Sequence, residues 1–163
     1  MQNPDQTILE SPLLKRTTIR VRDMDKAVAF YESVIGMSKY YDNKIILDRH
    51  FLPGEEPGDR VHLVIMQGSD PVIGMMGLLK WLEPEQTPPP VSYEFDFGQP
   101  VFVVQTPDAK TLYAKAQDLG CKISSALTET EYPAAGGGTV KVRSVGLFDP
   151  DGHFFECNQR LGS

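Results

Sequence analysis

One local pattern occurs twice in this chain, and it limits the fold more than any other feature. Thr17-Thr-Ile-Arg-Val-Arg22 alternates polar and apolar residues at period two, as a half-buried strand does. Asp23 follows in N-cap position, and Met24, Ala27, Val28, Tyr31, Val34 and Ile35 recur at helical spacing up to Gly36. Further on, Pro100-Val-Phe-Val-Val-Gln105 reads as a strand, Pro107-Asp108 opens a helix over 109–119, and Gly120 closes it. With the helix starts taken at Asp25 and Asp108, an offset of 83 also pairs Val21 with Val104, Ile19 with Phe102 and Phe30 with Tyr113. A strand–helix unit that recurs at a fixed offset points to internal duplication.

Each copy continues into strands. In the first half these are expected around 39–42, 44–50 and 60–67, with Phe51-Leu-Pro-Gly-Glu-Glu-Pro-Gly-Asp59 as loop. In the second half they are expected around 122–127, 139–148 and 153–158. The order is β-α-β-β-β twice. Residues 1–15 read as a mobile lead-in. The 68–98 segment carries Val72-Ile-Gly-Met-Met-Gly-Leu-Leu79, Trp81 and Pro88-Pro-Pro90. It reads as a linker packed over the core or as an apolar lid over a ligand cavity, since methionine fills irregular apolar shapes.

The bulk properties restrict the function. A length of 163 residues suits one domain. The net charge of −6 argues against a nucleic-acid partner, because such affinity comes from clustered Lys and Arg. Cys121 and Cys157 have no metal or redox spacing and suggest a reduced compartment. No apolar run approaches the ~20 residues a spanning helix needs, so no membrane is expected. The N-terminus lacks signal-peptide chemistry, and the expected location is the cytoplasm.

Two stretches resemble a known family. Thr18-Ile-Arg-Val-Arg-Asp-Met-Asp-Lys-Ala-Val-Ala-Phe-Tyr-Glu-Ser-Val-Ile-Gly-Met37 is similar to the opening module of the vicinal-oxygen-chelate superfamily, and Phe148-Asp-Pro-Asp-Gly-His-Phe-Phe-Glu156 to its closing strand pair. That superfamily holds glyoxalase I, bleomycin-binding resistance proteins and extradiol dioxygenases. The resemblance implies an α+β fold of two tandem βαβββ modules whose curled mixed sheets surround a shared cavity. As one domain over 1–163, it would have modules near 16–67 and 99–158 with 68–98 between them. It also implies a homodimer, and a divalent metal (Zn, Ni, Mn or Fe) held by four side chains.

Slot by slot, that resemblance places Arg16 at the first ligand position, His62 at the second, Gln99 at the third and Glu156 at the fourth. A guanidinium offers no lone pair. Two arrangements follow: His62, Gln99 and Glu156 hold a metal, or Arg16 replaces it and pairs with Glu156. Strand alternation adds Thr18, Arg20, Met66, Val101, Val103, Phe154 and Asn158 to the expected cavity, with Trp81 from the intervening segment. The catalytic candidates are Glu156, Arg16 and His62. The expected function is a glyoxalase-type lyase or isomerase that stabilises an enolate or oxyanion on a small, partly apolar substrate. The alternatives are a non-catalytic small-molecule-binding protein and a metal-dependent ring-cleaving dioxygenase.

Overall fold

The computed structural model describes residues 11–50 and 52–162. The first module comprises β1 (Arg16–Arg20), α1 (Met24–Phe30), β2 (Ser38–Ile46), β3 (Arg60–Gln67) and β4 (Met75–Glu83). The second comprises β5 (Val101–Gln105), α2 (Ala109–Asp118), β6 (Ile123–Pro133), β7 (Thr139–Phe148) and β8 (Phe154–Leu161). Both are βαβββ units. Their four-stranded mixed sheets have the orders β1-β4-β3-β2 and β5-β8-β7-β6, and each contains one parallel pair, β1 with β4 and β5 with β8. No helix among the described residues is long and apolar enough to cross a membrane.

The helices begin where the sequence puts caps. Asp23 accepts from Lys26 N, and Asp108 accepts from Lys110 N and Thr111 N, so orphan first-turn amides find partners. After Phe30 the first helix widens into one π-helical turn, Tyr31–Ile35, which ends at Gly36 with φ 82°. That left-handed conformation suits glycine.

The strand layout corrects the sequence reading at three points. β2 is one strand, irregular at Lys39/Tyr41, where two were expected. The 68–98 segment is neither all linker nor lid, because Met75–Glu83 is the fourth strand of the first module. The 60–67 segment is the third. β4 lies between β1 and β3 and is buried on both faces from Met75 to Leu79, so it carries no period-two signal. The repeat offset is also different. β1 and β5 start at Arg16 and Val101, and the caps are Asp23 and Asp108, so both pairs stand 85 residues apart. Of the expected lead-in, residues 1–10 lie outside the described residues, and Ser11–Lys15 forms neither helix nor strand.

One apolar core joins the modules. Ile19, Phe30, Tyr31, Val64 and Leu78 from the first pack with Leu112, Val145, Leu147, Phe155 and Cys157 from the second. The Phe30 and Phe155 rings meet edge to face at 5.4 Å. Each such buried ring contributes roughly 1.5–3 kcal/mol through area removed from water. These residues define the helix-bearing face of each sheet, and alternation assigns the others to an open face. On the open face of the first sheet a smaller cluster, Val61, Leu79 and Trp81, packs with Leu47 and Leu52 of the 47–59 loop.

Polar contacts also cross between modules. Arg22 donates to Asp151 Oδ1 at 2.9 Å, and Tyr31 OH donates to Asp149 Oδ2 at 3.1 Å. The inter-module segment presses on the β7–β8 turn, where a Cβ on Gly152 (φ 91°) would stand 2.1 Å from the Ser92 carbonyl oxygen.

Candidate functional site

The open face of the second sheet gathers five of the expected residues. Val101 lies opposite Phe154, Val103 opposite Glu156, and Gln105 opposite Asn158. The other face is fixed by Phe155 and Cys157, both in the shared core. Glu156 is exposed and accepts from Asn158 Nδ2 at 2.7 Å, while Asn158 Oδ1 accepts from Ser144 at 2.6 Å. A short polar chain, Ser144–Asn158–Glu156, therefore borders the apolar pair Val101 and Val103.

The open face of the first sheet carries Arg16, Thr18, Arg20 and Trp81 on β1 and β4. The Arg20 guanidinium lies 4.2 Å from the centre of the Trp81 ring and donates to Gln86 Oε1. A guanidinium over an indole face is a favourable cation–π arrangement.

Three expected residues lie elsewhere. Met66 is fully buried in the shared core, on the helix-bearing face of β3. His62 has the same parity as Val64 and Met66 and so stands on that face as well, with Nε2 2.6 Å from Asp42 Oδ1. Gln99 precedes β5 in a turn, where its Oε1 accepts from Asp96 N at 3.1 Å. The expected Arg16–Glu156 hydrogen bond is absent, since Glu156 is partnered by Asn158 and Arg16 has no ion pair among the described residues.

The corrected register bears on the metal. Arg16 on β1 corresponds to Val101 on β5. Thr18 and Gly77 are Cα partners, as are Val103 and Glu156, so Gly77 corresponds to Glu156. The four equivalent positions are thus Arg16, Gly77, Val101 and Glu156, and only Glu156 bears a donor for a cation. Among the described residues no group of three or more His, Cys, Asp or Glu could hold a metal ion. The donor set does not fit a bound divalent ion. The thiols give no substitute, as burial raises Cys121 and pushes Cys157 up to about 12.

A cleft of about 510 Å³ opens between the start of β1 and the edge of β5. Val101, Val103, Met75 and Met76 line it with Ile35 and Met37, while Phe155 also borders it and Lys15 and Arg16 bring positive charge. Its size lies in the range of small-molecule sites, roughly 300–1,000 Å³. Lys15, Ile35 and Met37 were not anticipated, whereas Met75 and Met76 belong to the segment read as a linker or as an apolar lid over a cavity. Lys15 fell in the expected lead-in. Ile35 and Met37 flank Gly36, which signals a helix end but not a cavity wall.

The family model for the Glyoxalase/Bleomycin resistance protein/Dioxygenase superfamily matches residues 13–157. Among solved structures, the chain is similar to a glyoxalase family protein from Bacillus cereus, with a TM-score of 0.72 and 16% identity over 96% of this chain and 100% of that one. It is similar to the trypanothione-dependent glyoxalase I of Leishmania major, with a TM-score of 0.57 and 21% identity over 91% and 87%. It is also similar to TnmS3, an antibiotic-binding protein from a Streptomyces species, with a TM-score of 0.57 and 18% identity over 94% and 99%. No curated protein matches the sequence. At such identities the solved structures speak for the fold alone, but the family model spans most of the chain. The chain belongs to the Glyoxalase/Bleomycin resistance protein/Dioxygenase superfamily.

Proposed function

We propose that this protein binds one small, partly apolar anion in the cleft between β1 and β5. The observation that carries this reading is the lining itself: methionine, isoleucine and valine walls with Lys15 and Arg16 among them. Apolar walls take up a hydrocarbon body, and a cation supplies orientation and charge complementarity. TnmS3, an antibiotic-binding protein with the same fold, lends support to sequestration. Anilinonaphthalene sulfonate, an apolar anion, is a suitable probe. The native chain should bind it at one saturable site, and Val103→Asp should weaken binding about tenfold by placing like charge against the sulfonate. Equal binding by both proteins would sink the proposal.

A second reading, a lyase or isomerase that stabilises an enolate or oxyanion, is favoured by Glu156. Its carboxylate stands on the open face beside Val103, where it could serve as a general base, with Arg16 as the cationic partner of the oxyanion. Turnover that disappears in Glu156→Gln would support it, and turnover that survives would end it. Among the described residues no gathered donor set supports the metal-dependent readings, ring cleavage included, and metal analysis of the purified protein is their test. The homodimer is likewise a proposal. It is supported by the outer edges of β2 and β6, which have no strand partner among the described residues, and sedimentation at micromolar concentration tests it.

A further inference from the structure

We propose that a separate recess, at the C-terminal ends of β1 and β4, is a second binding site that takes a small oxyanion, a carboxylate or a phosphate. The recess measures about 280 Å³ and shares no lining residue with the β1–β5 cleft. Arg20, Arg22 and Lys80 line it, with Trp81 and the Gln86–Pro89 strap as the remaining walls, and no aspartate or glutamate is among the lining residues. Three cations around one small hollow are notable in a chain of net charge −6.

The three cations are not equivalent. Arg22 is neutralised by Asp151 at 2.9 Å, and its Nε also donates to the Pro89 carbonyl at 3.1 Å, so it fastens the strap. Arg20 and Lys80 have no ion pair among the described residues. Arg20 and Lys80 therefore bring two positive charges without a carboxylate partner to the hollow, where an oxyanion would accept charge-assisted hydrogen bonds.

The wall is also held in place before any ligand arrives. Trp81 is buried, and its indole N–H donates to the buried Asp59 at 2.8 Å. Arg20 stacks on that fixed ring and is tethered by Gln86. Pro88 and Pro89 restrict the strap's backbone. A guanidinium fixed in this way loses little freedom when it meets an oxyanion, and such preorganisation favours binding. The volume is below that of a drug-sized site, which limits the occupant to a small molecule.

Calorimetric titration at low ionic strength tests the assignment, with inorganic phosphate and benzoate as separate probes. A saturable heat with phosphate, with benzoate or with both is expected, and the stronger probe identifies the oxyanion class. Lys80→Met removes one uncompensated charge and should weaken binding about tenfold. Gln86→Glu places a carboxylate against Arg20 from the exposed strap and should have a similar effect without removing any cation. Lys115→Met, which removes an exposed cation on α2, should change affinity less than about twofold. The proposal is overturned if neither probe saturates by about 10 mM, far above a useful affinity. It is equally overturned if Lys80→Met and Gln86→Glu bind like the native chain.

Discussion

Thr18 and Gly77 sit opposite one another as Cα partners on β1 and β4. A Cβ built on Gly77 would stand 2.5 Å from Thr18 Oγ1 and 3.1 Å from its Cγ2. Nothing larger than glycine fits there without moving a β-branched side chain off its preferred rotamer. Gly77→Ala should therefore cost about 1–3 kcal/mol, as overpacking does, measured as a lower urea midpoint. Thr18→Ala in the same chain should return part of the loss, because both close atoms disappear. If the single variant is as stable as the parent, the β1–β4 contact is looser than described. Gly77 also corresponds to Glu156 in the other module, so a side chain introduced here as an ion donor would meet the same crowding.

The turn between β7 and β8 shows how one element organises its neighbours. Buried Asp149 accepts from His153 N at 2.8 Å, Asp151 N at 3.0 Å and Tyr31 OH at 3.1 Å, and its Oδ2 lies 3.1 Å from His153 Nδ1. The Asp149 hydrogen bond holds His153 above the ordinary histidine value against the opposing effect of burial. Burial, reinforced by Asp149, pushes the Tyr31 phenol well up, so it stays a donor. A histidine raised in the folded state contributes stability in full below its unfolded pKa, about 6.5, and loses it as pH rises through the folded value. Melting temperature should thus fall as pH rises from about 6.5 through the raised folded value, and His153→Gln should flatten that slope. Identical slopes would remove His153 from the account. This turn was legible in the sequence, because Asp-Pro-Asp-Gly fixes it locally and alternation then puts Glu156 on the face opposite Phe155 and Cys157. β4 was not legible, since burial on both faces erases alternation and Gly74 and Gly77 resemble loop punctuation. Once β4 was read as part of a linker or lid, β3 stood in its place and His62 inherited a position on the wrong strand. The third position slipped for a different reason. Asp23 and Asp25 both suit a helix start, and choosing the second shifted the offset by two, onto Gln99 instead of Val101.

Across the whole molecule, the modules are joined by buried apolar contact and by the part-buried Arg22–Asp151 ion pair. The Asp151 side chain is 2% exposed, and its Oδ2 has no hydrogen-bond partner among the described residues, so Arg22 on Oδ1 is its main charge compensation. Arg22→Ala should cost about 3–5 kcal/mol, because it leaves a carboxylate buried without a counter-charge. Arg22→Ala with Asp151→Ala should recover part of that, and the cycle can be read by urea unfolding. A loss below about 1 kcal/mol in the single variant would show that water reaches Asp151.

The contact between Ser92 and Gly152 also has a bearing on biosynthesis. The segment that carries Ser92 leaves the ribosome 60 residues before the glycine it must rest upon. Chains fold from the N-terminus as they are made, so the first module can assemble while its exit strap has nowhere to seat. Until the last strand pair emerges, Tyr93 lacks the Phe148 ring it packs against, and Arg22 lacks Asp151. A nascent chain stalled before residue 148 should therefore be cut by protease between residues 84 and 98, and released full-length protein should resist cleavage there.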